Sequence, residues 1–183
     1  MMDFTNNLFS VAYPAGWIAF EHEDGIGLAI ANSDAAMTRF GVGESVPGDL
    51  ALNIGFIPAA WFAMAEWEDV GIQLEATPDV FLQSIMPMLR LTEAYAEGAV
   101  IRDSELVSLS DGVEAGLLTV SNEEGVGMLI VFEPTEGVFA FVNALGNPAE
   151  VEDFQKIALA VAASIEYTDS AENLRDSFFG YKS

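Results

Sequence analysis

The second half of the chain limits its fold most narrowly. Four extended runs follow one another there: Val100 to Leu109, Val113 to Ser121, Val126 to Glu133 and Val138 to Leu145. Turn signals separate them, namely Asp111-Gly112, Asn122-Glu123-Glu124-Gly125 and Pro134-Thr135-Glu136-Gly137. Runs of strand length joined by short turns containing glycine predict consecutive antiparallel strands, a meander. Phe139-Ala140-Phe141-Val142 is apolar on both faces of its strand, so a helix is expected to cover it.

Candidate covering helices lie on either side. Asn147-Pro148-Ala149-Glu150 reads as a helix start, with Asn as the cap, proline next and Glu three residues on. Val151, Phe154, Ile157, Ala158, Val161 and Ile165 then form one apolar stripe. Thr77-Pro78-Asp79 predicts a second start, followed by Phe81, Ile85, Met88 and Leu89 at helical spacing. Pro87 is expected to kink this helix or end its first part, because its ring opposes the carbonyl four residues back.

The first third reads as more strands. Phe9, Val11 and Tyr13 alternate with Ser10 and Ala12, and Pro14 stops the pairing for want of an N–H. Gly16 permits a sharp corner, after which Trp17 to Phe20 resumes an extended run, with Trp17 expected beneath a covering helix. Glu21-His22-Glu23-Asp24-Gly25 predicts a hairpin turn, and Ile26 to Ala31 a central returning strand. Asn32-Ser33-Asp34 caps a short helical segment over Ala35 to Phe40, Gly41 to Asp49 is a loop, and Leu50 to Ile57 is a strand closed by Pro58.

Two aromatic segments have two readings each. Ala59 to Trp67 favours helix but is apolar nearly all round, so its rings serve either the core or a docking patch. Thr168 to Ser183 is a polar segment ending in Phe178-Phe179-Gly180-Tyr181, read as a second short helix whose aromatic end docks or meets a partner. Candidate partner contacts are therefore Trp61, Phe62, Trp67, Phe178, Phe179 and Tyr181.

Charge narrows the function. The 183 residues carry 29 acidic and six basic side chains, a formal −23, while 51% are hydrophobic. Such a field repels phosphate backbones and anionic lipid heads, which disfavours nucleic-acid and membrane-surface binding and favours a basic partner or a solvated surface. No apolar run reaches the roughly 20 residues of a membrane helix. No basic segment followed by an apolar one opens the chain, which as given predicts the cytoplasm, or an extracytoplasmic site if a signal or lipoprotein segment was removed.

Motifs for chemistry are sparse. There is no cysteine, hence no disulfide or thiolate site. The single histidine, His22, sits among Glu21, Glu23 and Asp24, and a solvated hairpin tip is expected there rather than a metal site, whose ligands usually converge from several segments. No G-x-S-x-G elbow occurs, and Gly41-Val42-Gly43-Glu44 lacks the lysine of a phosphate cradle. No catalytic, cofactor-binding or metal-ligating residue is assigned, and the chain is expected not to be an enzyme.

Phe9 through Trp17, with Tyr13-Pro14-Ala15-Gly16-Trp17 at its end, resembles the opening segment of the PsbP/Mog1-like group. Ala31-Asn32-Ser33 and Ser164-Ile165 also fit that pattern, and the resemblance spans roughly residues 5 to 167. It implies an α+β fold, an α-β-α sandwich around a mainly antiparallel sheet, with residues 1–167 as one domain and 168–183 as an extension. It further implies a non-catalytic binding or assembly module docking on a partner protein. Members of the group include photosystem II subunits with basic surfaces, from which this acidic chain departs. The alternative is an acidic chaperone-like or nucleic-acid-mimicking protein that binds a basic partner.

Overall fold

In the computed structural model, the described residues are 1–42, 44–63, 71–89, 99–109, 112–123 and 125–180. The meander forms as half of a larger, wholly antiparallel sheet. Its strands are β3 (Ile18–Glu21), β4 (Gly27–Ala31), β5 (Leu50–Pro58), β6 (Val100–Ile101), β7 (Glu105–Ser108), β8 (Glu114–Asn122), β9 (Gly125–Thr135) and β10 (Val138–Gly146). They lie in the order β3-β4-β5-β10-β9-β8-β6, with β7 also on β8. The pairing of β10 with β5, Asn143 opposite Asn53, joins the two halves of the sequence.

A second sheet of three strands packs beside it: β1 (Met2–Thr5), β2 (Phe9–Tyr13) and β11 (Glu166–Tyr167), in the order β1-β2-β11. The Pro14–Gly16 corner passes the chain from this small sheet to the large one. The Trp17 N–H donates to the Pro14 carbonyl (3.2 Å), and Gly16 has φ +86°, which a residue with a Cβ adopts only with strain.

Five helices are described: α1 (Asp34–Gly41), α2 (Ala59–Phe62), α3 (Pro78–Leu89), α4 (Val151–Ala163) and α5 (Ala171–Phe179). One face of the large sheet, with Leu28, Ile30, Ile54, Phe56, Ile130 and Val142, buries Phe9, Val11 and Tyr13 of β2, Phe154, Ala158 and Val161 of α4, and Leu174 of α5. On the other face Leu118, Val120, Val131 and Phe139 meet Phe62 and the α3 residues Phe81, Leu82 and Ile85. Ala36 of α1 covers Ala31 and Ala51 beyond them. The result is an α-β-α sandwich with an antiparallel centre, one outer layer being shared between helix and small sheet.

Several expectations change in detail. The run from Val100 to Leu109 is two strands, because Ser104 leaves the ladder to donate its hydroxyl to the Asp79 carbonyl on α3 (2.7 Å). Asn147 does not cap a helix; α4 begins at Val151 with Glu150 before it and no side-chain cap. The backbone of Asn147 is already engaged, its N–H donating to the Asp49 carbonyl (2.9 Å) and its carbonyl accepting from Gly48 (2.7 Å). This extends the β5–β10 ladder past its formal end. Pro87 lies inside α3, where it has no N–H to donate to the carbonyl four residues back.

Other local signals act as read. Ser33 caps α1, accepting from the Ala36 N–H (3.1 Å). The tip at residues 21–25 is a hairpin turn with Gly25 at φ +71°. A Cβ on Gly27 would lie 2.6 Å from the Ile54 carbonyl oxygen, a backbone atom that cannot rotate away, and 2.3 Å from the His22 ring.

Candidate functional site

The aromatic candidates come from two distant segments, and local backbone chemistry brings them together. β5 ends at Pro58, whose ring sets φ at −68°, and one helical turn follows at once. The Ala59 N–H, which a first helical turn leaves without an internal partner, donates to the carbonyl of Gly137 at the β9–β10 turn (2.9 Å). That turn needs Gly137 at φ +80°. It is held by the Glu133 carboxylate, which accepts from the Gly137 N–H (2.6 Å).

Successive residues on this turn face opposite ways. Phe62 is 4% exposed and sits edge-on to Phe81 (5.2 Å) and Phe139 (5.7 Å), so its ring belongs to the core. Trp61 is half-buried, with its ring centroid 5.0 Å from that of Phe62.

The helix α5 supplies the other half. Ser170 caps it, accepting from the Asn173 N–H (3.1 Å), Asp169 accepts from the Asn173 side chain (2.7 Å), and Gly180 ends it at φ +72°. Leu174 is buried in the main core, and Phe178, one helical turn further along the same side, is 37% exposed. Its ring lies 6.3 Å from Trp61 in an edge-on arrangement, with Phe179 5.9 Å beyond. Trp67 and Tyr181 fall outside the described residues.

Beside these rings lies a cavity of about 360 Å³ lined by Pro58, Ala59, Ala60, Gly137, Ala171 and Arg175, among others. Gly137 and Ala171 meet so closely that a Cβ on the glycine would lie 3.2 Å from the alanine methyl. Arg175 pairs with Asp176 (2.8 Å) and Glu172 (3.5 Å), and Arg175 and Glu172 both line the cavity. The surface is thus partly exposed rings bordered by exposed charges, an arrangement that suits docking. The sequence marks each aromatic segment separately; Gly137 and Arg175 carry no signal of belonging with them, because a tertiary contact alone assembles the site.

Elsewhere, candidate chemistry dissolves into structure. Among the described residues no three acidic or histidine side chains converge as a metal site. Glu21 accepts from the Asn6 side chain (2.7 Å), which ties the acidic hairpin tip to the small sheet. The Tyr167 hydroxyl is buried without a partner, and burial, aided by the Asp169 charge, pushes its pKa up to about 12. It therefore stays protonated through neutral pH, its ring tilted against that of Phe56 at 5.0 Å and packed on the core.

The layering, the Pro14–Gly16 corner and the helix after the meander define a PsbP-like fold. The solution structure of cyanobacterial PsbP (CyanoP) from Synechocystis is similar, with a TM-score of 0.57 and 13% identity over 91% of this chain and 92% of that one. A crystal structure from Bacteroides thetaiotaomicron matches at a TM-score of 0.47 and 14% identity, over 88% of this chain and 46% of that one. No protein-family model matches the sequence, and neither does any curated protein.

Proposed function

We propose that the chain is a non-catalytic binding or assembly module of PsbP/Mog1-like type, docking on a partner protein through the surface formed by Trp61, Phe178 and Phe179. The observation that carries this reading is the Trp61–Phe178 contact, which turns two separate aromatic segments into one partly exposed patch. Large, partly exposed rings next to ion pairs are the residue types that dominate interface energies. The PsbP-like fold supports the same reading, since the resemblance in the sequence implies assembly modules rather than enzymes.

Affinity purification from the source organism tests it, using the wild-type chain, Trp61→Ala and Phe178→Ala, each checked for folding by circular dichroism. One partner held in high salt and weakened by about tenfold or more in either variant is the expected result. Retention that neither substitution changes overturns the docking surface.

The formal charge of −23 favours a second reading, an acidic chaperone-like or nucleic-acid-mimicking protein that holds a basic partner. Capture of that kind collapses between low and high salt, whereas aromatic docking persists.

A further inference from the structure

Gly137 stands where the two halves of the aromatic site meet, and it touches both. Its N–H donates to the Glu133 carboxylate (2.6 Å), and its carbonyl accepts from the Ala59 N–H (2.9 Å). The first bond fixes the β9–β10 turn; the second seats the helical turn that carries Trp61. A third contact reaches α5. A Cβ on Gly137 would lie 3.2 Å from the Ala171 methyl, inside the separation of about 3.5–4.0 Å that two carbon atoms prefer.

Ala171, Leu174 and Phe178 follow one another along a single side of α5. Leu174 is buried and anchors the middle of the helix in the main core. Nine residues are too few to hold a helix together in water by propensity alone, so tertiary contacts decide where α5 lies. Ala171 resting on Gly137 fixes how close the first turn comes, and Phe178 lies about two turns further along.

Glycine at this position answers two separate demands. One is φ at +80°, a backbone conformation that asparagine also adopts at small cost. The other is the Ala171 contact, which opposes asparagine as much as alanine. There is little play in the pair that depends on it. The Trp61 and Phe178 centroids are 6.3 Å apart, and aromatic pairs interact out to about 7 Å, so an outward shift of about 1 Å parts them. The cavity of about 360 Å³, which Gly137 lines with Ala59 and Ala171, follows the same seam.

We propose that Gly137 is the positioning residue of the aromatic site: its lack of a side chain lets α5 settle close enough for Phe178 to reach Trp61. Its part in docking rests on the function proposed above, whereas the positioning itself is a property of the free chain.

Nuclear Overhauser contacts between the Trp61 indole and the Phe178 ring, measured on the free chain, test it. Gly137→Asn tolerates the φ of the turn but sets a side chain against Ala171, and loss of these contacts is expected. Ala171→Val crowds the seam from the side of α5 and leaves the turn untouched, with the same loss expected. In both variants the contacts of Phe62 with Phe81 and Phe139 persist, because the sheet and its core do not depend on the seam. Gly25→Asn, at a glycine of similar φ in the distant hairpin, keeps the Trp61–Phe178 contacts. Persistence of the ring contacts in either seam variant overturns the proposal, as does their loss in Gly25→Asn. Loss of the Phe62 contacts along with them also overturns it, since Gly137 is then a residue of the core. Partner capture with the same variants separates the two readings. Parted rings with retention weakened about tenfold uphold both, whereas parted rings with unchanged retention uphold the positioning and overturn the docking surface.

Discussion

Asp49 is 5% exposed and is the buried charged residue among the described core. Its carboxylate takes a two-pronged grip from Arg39 on α1, with the Arg39 Nε donating at 2.6 Å, and accepts from the Val46 N–H (3.0 Å). The Arg39 hydrogen bond, ahead of the opposing effect of burial, holds the Asp49 carboxyl below its ordinary value. The folded pKa is depressed, so the stabilisation is fully present above the ordinary aspartate range near 3.8 and is lost as pH falls through the lower folded value. Relief of repulsion among the other acids acts in the opposite direction on acidification. The quantity to measure is therefore the difference in urea stability between wild type and Asp49→Asn; it is expected to be constant from neutral pH to about pH 5 and to shrink below pH 4. A difference that stays constant down to pH 2.5 removes Asp49 as the source. Neither this pair nor Asn6 was legible in the sequence. Asn6 accepts from the Leu8 and Phe9 N–H groups and donates to Glu21 and the Gly25 carbonyl. All of these contacts are polar, and several reach across the fold, so no hydrophobic period announces them.

Elements with a strong apolar period were legible. α3, α4 and the meander appear where Phe81 and Ile85, Phe154 and Val161, and the alternating strands place them. β1 was not, since its side chains are mostly exposed and its place comes from backbone pairing with β2, Phe4 opposite Val11. β11 is two residues long and exists because β2 offers it an edge. Nearby, Ser164 closes the end of α4 onto that sheet, its hydroxyl accepting from the Ala12 N–H (2.9 Å) and contacting the Ala12 carbonyl. How tightly two elements approach is equally hidden in a linear pattern, and Gly116 is the case in point. Gly116→Ala pushes a methyl into the first turn of α3, where the obstacle is backbone and cannot rotate away. A loss of about 1–3 kcal/mol is expected in urea denaturation. Amide shifts centred on residues 78–83 locate the damage, and an unchanged midpoint with unshifted amides rejects the close-packing account.

At the scale of the whole molecule, the 29 acidic residues against six basic ones set the response to salt. The described ion pairs outside Arg39–Asp49 are exposed and contribute little. Repulsion therefore outweighs attraction at low ionic strength. The melting temperature is expected to rise between 10 mM and about 0.5 M sodium chloride, as the screening length falls from about 30 Å to a few ångströms. A flat or falling melting temperature means that the charges are spaced too widely to matter. The aromatic site was legible only in parts at this scale: Trp61 and Phe178 stand out singly, while their contact depends on α5 packing Leu174 into a core built by other strands. The order of that packing has a consequence for synthesis. β2 has β1 on one edge and β11 on the other, so its second edge is fulfilled by residues far from it in sequence, Glu166 and Tyr167. On the ribosome, Phe9, Val11 and Tyr13 emerge well before their partners: the large sheet cannot take its β5–β10 pairing until Gly146 is made, nor can β2 gain its outer partner before Glu166 and Tyr167 follow. The nascent chain must carry that buried strand unfinished until residues 166 and 167 are made, and the native core cannot close before then.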